Sequence, residues 1–319
     1  MYNLIQLKKS LELLANNEYQ DTLGAYCLDS NTEGPIVGIS VMTHGNEPSG
    51  LAAFQYFLDN KIKPEKGKII FILNNIQASQ LYFESGKIID EEEKFRFVDV
   101  NFNRLPEHSL SLTESEAYEI KRLHSIYPLI QTFDFGLDIH STTTDATPTI
   151  INISDDLTHG LFAGFPEEME IIISNMANVQ KGYPICHFFG GLDKDIPSLG
   201  IETGIHVAER SFQIAIESTL QFCVNCGILP VERKLEKRKF RNYNVLQSIL
   251  FPSEDFYANK SFMGFEELTR DQPLGSNGIN QIKSPYDCLT LFGCPKNYKP
   301  KVISDEVFFL VDFPQIIEL

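Results

Sequence analysis

The feature that most constrains the fold is the alternation of short apolar runs with helix-like segments over the first two-thirds of the chain. Buried parallel strands have near-continuous apolar sequences, whereas the helices that connect them follow the helical period. Strands that alternate with helices predict an α/β layer structure with a largely parallel sheet. Strands are predicted at residues 35–42, 68–73, 133–139, 149–153, 184–189 and 198–203, and helices at 48–58, 113–127, 167–179 and 207–224.

The end of the chain has a different pattern. Residues 233–319 contain short strand-like pieces separated by proline, glycine and Asn-Gly turns. Such a sequence predicts a smaller, mainly β domain. We therefore expect a domain boundary between residues 232 and 233, with an α/β domain of residues 1–232 before it and a β-rich domain of residues 233–319 after it.

Composition restricts the partners. With 27 basic and 43 acidic residues, the chain has a formal net charge of −16, whereas nucleic acids and anionic membranes attract basic surfaces. No apolar stretch is long enough to span a bilayer, and the first residues lack the order of a secretory signal peptide. The six cysteines are too few for a disulfide-dense scaffold of this length. We expect a cytoplasmic enzyme that binds neither nucleic acid nor membranes.

Polar residues that can bind a metal follow two of the predicted strands. His44 and Glu47 lie in a turn after the first strand, three residues apart, so an imidazole and a carboxylate can converge on one cation. His140 ends another strand, and Asp138, on the same side of that strand, could orient its imidazole. Two histidines and one glutamate leave a fourth position for water, which is typical of catalytic zinc.

Two further elements fit a hydrolytic centre. Glu202 is a lone acid at the end of an apolar strand, and a carboxylate beside zinc-bound water can accept its proton and pass it to a leaving amine. Arg96, Asn103 and Arg104 lie within nine residues, and arginine binds carboxylates through two hydrogen bonds. Each element alone also fits a structural role; their joint occurrence at strand ends favours an active site.

Four of the cysteines offer a second candidate metal site. Cys223 and Cys226 have the spacing of zinc ligands, and Cys288 and Cys294 could complete a set of four thiolates. The second pair is six positions apart, whereas zinc motifs of this kind repeat a close spacing twice. Buried free thiols are the better interpretation.

Together these motifs resemble the succinylglutamate desuccinylase/aspartoacylase family, a branch of the zinc carboxypeptidase-like fold. The order and separations agree over about residues 35–225. The matching segments are His44-Gly45-Asn46-Glu47, Asp138-Ile139-His140, Ile201-Glu202-Thr203-Gly204, and the spacing of Arg96 from Asn103-Arg104.

The resemblance implies a three-layer α/β/α domain with a central mixed sheet, followed by a smaller mainly β domain. It also implies one zinc ion per subunit, bound by His44, Glu47 and His140. Glu202 would be the general base and acid, and Arg96 would polarise the scissile carbonyl. The implied reaction is hydrolysis of an N-acyl amino acid, similar to N-succinylglutamate or N-acetylaspartate, to a carboxylate and a free amino acid.

The resemblance further implies that Asn103 and Arg104 bind the carboxylate of the amino-acid half. Relatives often have another basic residue before the Ile-Glu-x-Gly motif, and Lys194 is the candidate here, although its spacing does not match. The family usually has Asp-Leu-Asn-Arg where this chain has Asn101-Phe102-Asn103-Arg104, so the support of this segment differs.

Two other functions stay open. One is a metallo-carboxypeptidase that acts on peptide C-termini, which would need a pocket that admits a chain. The other is a non-catalytic zinc-dependent binding protein, against which Glu202 argues because binding needs no general base. A homo-oligomer is compatible with either function and with the hydrolase.

Overall fold

The computed structural model describes residues 2–85, 92–106, 108–142, 146–153, 160–231, 237–294, 296 and 306–319. The helices of these residues are α1 (Leu4–Ala15), α2 (Ser49–Asp59), α3 (Ile76–Ser85), α4 (Tyr118–Ile130), α5 (Met176–Val179) and α6 (Glu209–Asn225). The strands are β1 (Glu18–Tyr19), β2 (Thr22–Leu23), β3 (Ala25–Asp29), β4 (Ile36–Val41), β5 (Lys68–Leu73), β6 (Phe135–Thr142), β7 (Thr149–Asn152), β8 (Ile171–Ser174), β9 (Ser198–Ile205), β10 (Lys239–Leu250), β11 (Tyr257–Ala258), β12 (Glu267–Leu268), β13 (Pro273–Ser276), β14 (Gln281–Lys283), β15 (Cys288–Thr290), β16 (Glu306–Val311) and β17 (Gln315–Glu318).

A 12-stranded mixed sheet runs through the described residues, in the order β12-β15-β16-β10-β8-β7-β9-β6-β4-β5-β3, with β17 paired to β10. Its central neighbours β9, β6 and β4 are parallel. Their carboxyl ends therefore lie at one edge of the sheet, which is where ligands bind in open α/β sheets. The register pairs His140 of β6 with Glu202 of β9, so these two side chains point to the same face.

Helices cover both faces of the sheet. Successive strand residues point to opposite faces, and in β5 Ile69 and Phe71 pack with α1, α2 and α6, whereas Ile70 and Ile72 pack with α4. Each such buried side chain contributes roughly 1.5–3 kcal/mol to folding. The three-layer α/β/α class predicted from the sequence is confirmed.

The C-terminal part is mainly β, as predicted. The long strand β10 connects it to the central sheet, since residues 241–244 pair with β8 and residues 245–250 pair with β16. Residues 232–236, which contain the expected domain boundary, lie outside the described residues, and the boundary stays a prediction. Among the described residues, no helix combines the length and apolar character that crossing a bilayer requires.

Two predicted elements differ in type. The helix expected at 167–179 is replaced by strand β8 and the short helix α5. The run Ile171–Ile173 is buried between β7 and β10, and β-branched side chains suit that position. The strand expected at 184–189 is a 3₁₀ turn over Ile185–Phe188.

The helix expected at 113–127 begins later and ends later. Helix α4 starts at Tyr118, whose backbone N–H donates to the carboxylate of Asp99, so Thr113 does not cap it. Glu116 instead pairs with Lys121 on the surface. Pro128 lies inside the last turn of α4 rather than ending the helix.

Candidate metal centre and active site

The predicted site residues converge where β4, β6 and β9 end. A cavity of about 240 Å³ opens at this edge. Its polar lining comes from the loop after β4, from β6 and β9, and from residues 96–104, and the C-terminal β region closes the opposite side. The cavity is lined by His44, Glu47, Arg96, Asn103, Arg104, Asp138, His140, Glu202, His206, Phe292, Glu306 and Phe309, among others.

Three of these side chains form a metal-binding set. One ligand atom from each of His44, Glu47 and His140 lies within 4.8 Å of the others, and among the described residues no other such group occurs. All three are buried. The Nδ1 atoms of His44 and His140 lie 2.7 and 2.8 Å from the two carboxylate oxygens of Glu47. Two imidazole nitrogens and one carboxylate are a donor set that fits Zn²⁺.

The outer nitrogen of each histidine has its own partner. His140 Nε2 lies 2.7 Å from Asp138 Oδ2, and Thr43 Oγ1 donates to the other oxygen of Asp138. His44 Nε2 lies 3.0 Å from Asn101 Oδ1, which also accepts the backbone N–H of Asn103. An amide oxygen can only accept, so this contact favours the tautomer with its proton on Nε2, which leaves Nδ1 of His44 as a ligand for a cation.

The loop after β4 needs its glycine. A Cβ on Gly45 would come within 2.4 Å of the Phe95 carbonyl oxygen and of the backbone of Ala78. The Gly45 N–H donates to the carbonyl of Arg96 at 2.9 Å. This close approach brings the segment that carries Arg96 against the metal-binding loop.

Burial and neighbouring charges set the protonation of the three residues. Burial, together with the nearby Arg96 guanidinium, lowers the pKa of His44 to about 4. Burial alone would raise the pKa of Glu47, but the two histidines outweigh it and hold that pKa well below its usual range. Burial also opposes the charge of His140, yet Asp138 and Glu47 raise its pKa well above the usual value.

Glu202 lines the same cavity, and one oxygen of its carboxyl group has no hydrogen-bond partner among the described residues. Burial raises its pKa to about 8. Its Oε2 atom is buried, and no described residue offers it a hydrogen bond. A buried carboxyl without a partner is costly, so this group is available to a substrate or a water molecule.

The three predicted anchors all line the cavity. Arg96 donates to Glu47 Oε1 at 3.1 Å, so it lies beside the metal-binding set. Asn103 has a buried, unpartnered Oδ1, and its Nδ2 lies 3.1 Å from His140 Nε2. Arg104 donates through Nε to both oxygens of Glu306, at 2.8 and 2.7 Å.

Lys194 lies elsewhere. It does not line the cavity and forms a surface ion pair with Asp134 at 2.9 Å. Asp134 directly precedes β6, six residues before His140. At roughly 3.3 Å per residue along an extended chain, Asp134 and His140 are about 20 Å apart. The assignment of Lys194 to substrate binding therefore has no support in the geometry.

Two residues that contact the segment from Arg96 to Arg104 were not predicted from the sequence. Buried Glu119, on α4, accepts the backbone N–H groups of Val98, Asp99 and Val100 and so supports the segment between Arg96 and Arg104. Glu306 contacts Arg104 across 202 positions of sequence. No local pattern signals either contact.

The cysteines show no second metal site. Cys223 and Cys226 pack in the cluster beneath α6, whereas Cys288 and Cys294 pack in a separate cluster of the C-terminal region. Burial raises the pKa of the Cys294 thiol to about 11. Buried thiols that form no disulfide, as the sequence suggests, agree with this placement.

Residues 33–172 match the family model described as the succinylglutamate desuccinylase/aspartoacylase catalytic domain. A curated relative from Xenopus laevis, an N-acyl-aromatic-L-amino acid amidohydrolase (carboxylate-forming), is 31% identical over 121 residues. That match covers 36% of this chain and 36% of the relative, so the aligned part is about a third of each protein.

Solved structures share the fold over most of the chain. Murine aminoacylase 3 has a TM-score of 0.61 at 17% identity and covers 90% of this chain and 98% of its own. Succinylglutamate desuccinylase from Vibrio cholerae has a TM-score of 0.64 at 14% identity and covers 98% of both chains. The resemblance inferred from the motifs is therefore confirmed: residues 33–172 match the catalytic-domain model of the succinylglutamate desuccinylase/aspartoacylase family, and the chain shares the fold of these solved structures.

Proposed function

We propose that this chain is a zinc-dependent amidohydrolase that cleaves an N-acyl amino acid to a carboxylate and a free amino acid. The observation that carries the proposal is the buried set of His44, Glu47 and His140 next to the unpartnered carboxyl oxygen Oε2 of Glu202 in one cavity. A binding site for a metal needs the first feature, and only hydrolysis needs both.

The residues have distinct roles in this reaction. A zinc ion bound by His44, Glu47 and His140 would supply an acidified water and polarise the amide carbonyl. Glu202 accepts the proton of the attacking water and gives it to the departing amine; its pKa of about 8 suits a group that must do both. Arg96, held beside Glu47, stabilises the negative charge that develops on the carbonyl oxygen.

The remaining anchors bind the amino-acid half. Arg104 holds the substrate carboxylate through its guanidinium group. Asn103 donates to the same carboxylate through its side-chain NH₂ group. The activities named for the relatives, an N-acyl-aromatic-L-amino acid amidohydrolase and a succinylglutamate desuccinylase, support N-acyl amino acids as the substrate class. A cytoplasmic location and a homo-oligomer stay predictions.

The test is a panel of N-acetyl and N-succinyl amino acids, with short peptides, incubated with zinc-loaded protein while released amine is measured. We expect turnover of at least one N-acyl amino acid, loss of turnover on chelation, and recovery with zinc. Glu202→Gln serves as the inactive control. Turnover of peptides alone would favour a carboxypeptidase, and tight zinc binding without any turnover would favour a binding protein.

A further inference from the structure

We propose that Glu306 is a specificity-determining residue, which makes the pocket select N-acyl amino acids with an uncharged, apolar variable group over those with a second carboxylate. The inference rests on the proposed function, because it concerns the substrate of the same cavity. It departs from the dicarboxylate substrates that the sequence motifs suggest.

Glu306 is held firmly against Arg104. Both of its carboxylate oxygens lie within 2.8 Å of Arg104 Nε, and its side chain is 4% exposed. The backbone N–H of Lys181 donates to Oε1 at 2.9 Å. Glu306 is the first residue of strand β16. The C-terminal region therefore fixes the position of this carboxylate beside Arg104.

The contact uses part of the capacity of Arg104. A guanidinium offers five N–H donors in a fixed plane. Glu306 takes the Nε side, and one NH₂ group donates to the carbonyl oxygen of Asn103 at 2.7 Å. The far end of the fork stays available to one substrate carboxylate, the group common to all N-acyl amino acids.

A second substrate carboxylate would find no free cation among the described residues. The other arginine or lysine of the described lining is Arg96, which already contacts Glu47. The Phe309 ring lies 5.7 Å from the Arg104 guanidinium carbon, and the same cavity has apolar lining from Ile151, Ile153, Met176, Phe292 and Val307. Burying a second anion beside Glu306 in this setting is unfavourable, whereas an apolar group gains from leaving water.

The experiment compares Glu306→Gln, which removes the charge, with Glu306→Asp, which keeps it, and with the matched control Glu267→Gln on exposed β12. For each zinc-loaded protein, kcat/KM is measured for N-acetyl-L-leucine, N-acetyl-L-methionine, N-acetyl-L-aspartate and N-acetyl-L-glutamate. The same four ligands are titrated by calorimetry into each variant combined with Glu202→Gln, which gives binding without turnover.

We expect the parent protein to prefer the apolar substrates. Glu306→Gln should raise the ratio of acidic to apolar substrates by about tenfold to a hundredfold, the range of one charged hydrogen-bond partner. Glu306→Asp and Glu267→Gln should leave the ratio within about threefold of the parent. Melting curves confirm that each variant is folded, and the Asp variant separates the effect of charge from that of packing.

The outcomes distinguish the two proposals. If the parent hydrolyses N-acyl amino acids but prefers the acidic ones, or if Glu306→Gln leaves the ratio unchanged, the role of Glu306 is overturned and the amidohydrolase proposal stands. If the ligands bind with the expected ratio but are not hydrolysed, the role of Glu306 stands and the amidohydrolase proposal is overturned. If none of the four binds or reacts, both are overturned.

Discussion

The two sides of the cavity differ in origin and in chemistry. The metal wall (His44, Glu47, Asp138, His140 and Glu202) comes from β6, β9 and the loop after β4. The side chains of its two histidines, Glu47 and Asp138 are buried and orient one another. The C-terminal wall (Phe292, Gly293, Cys294, Glu306, Val307 and Phe309) comes from the β region and is apolar apart from one carboxylate. This difference suggests that the metal wall carries the chemical step and the C-terminal wall selects the substrate.

The largest expected effect is the loss of a metal ligand. Glu47→Ala removes the carboxylate that both histidines contact, so zinc binding should fall below one-tenth of an equivalent. Because the metal supplies several kcal/mol of transition-state stabilisation, kcat/KM should fall at least about a thousandfold at about 1.4 kcal/mol per tenfold. Zinc content and kinetics check this, with exposed Glu65→Ala as the control.

Glu202→Gln should separate metal binding from turnover. The variant keeps all three ligands, so it should bind zinc like the parent, while kcat falls by about a hundredfold to ten-thousandfold, the range of general acid–base catalysis. KM should change little. Near-normal kcat on a good substrate would remove Glu202 from the chemical step.

The two arginines should respond differently to the same change. Lysine cannot reproduce the planar fork, so Arg104→Lys should raise KM by about tenfold to a hundredfold with a smaller change in kcat. Arg96→Lys, beside Glu47, should instead lower kcat. Exposed Arg270→Lys is the control. Equal effects of both changes on kcat alone would contradict the separate roles proposed for the two arginines.

The smallest expected effect lies within the metal wall. His140 is supported by the carboxylate of Asp138 and His44 only by the amide of Asn101. A carboxylate partner makes an imidazole a better ligand, so Asn101→Asp should tighten zinc binding by up to about tenfold, and Asp138→Asn should weaken it about tenfold or more. Competition with a chelator of known affinity measures both, and opposite signs would show that the outer partners do not tune the ligands.

The metal wall could be predicted from the sequence because its information is local. His44 and Glu47 are three residues apart in a turn that only Gly45 permits, and Asp138 and His140 share one face of a strand. Strand periodicity predicts which face of the sheet these side chains point to. Parallel pairing predicts the edge of the sheet at which they meet.

The C-terminal wall could not be predicted because its contacts are distant in sequence. Glu306 meets Arg104 across 202 residues, and nothing near either residue indicates the pair. Lys194 was assigned to the site because it is close to Glu202 in sequence. Lys194 precedes the start of β9, however, whereas Glu202 lies towards the other end of that strand. The segment 167–179 was misassigned because its isoleucines fit a helix period as well as a buried strand.

The most direct measurement is a zinc titration of the metal-free protein that follows bound zinc and N-acyl amino acid hydrolysis in the same samples. The proposed function predicts that hydrolysis rises in proportion to zinc and levels at about one equivalent per chain, and that Glu202→Gln binds the same zinc without hydrolysis. Stoichiometric zinc binding that produces no hydrolysis of any N-acyl amino acid in the panel would contradict it.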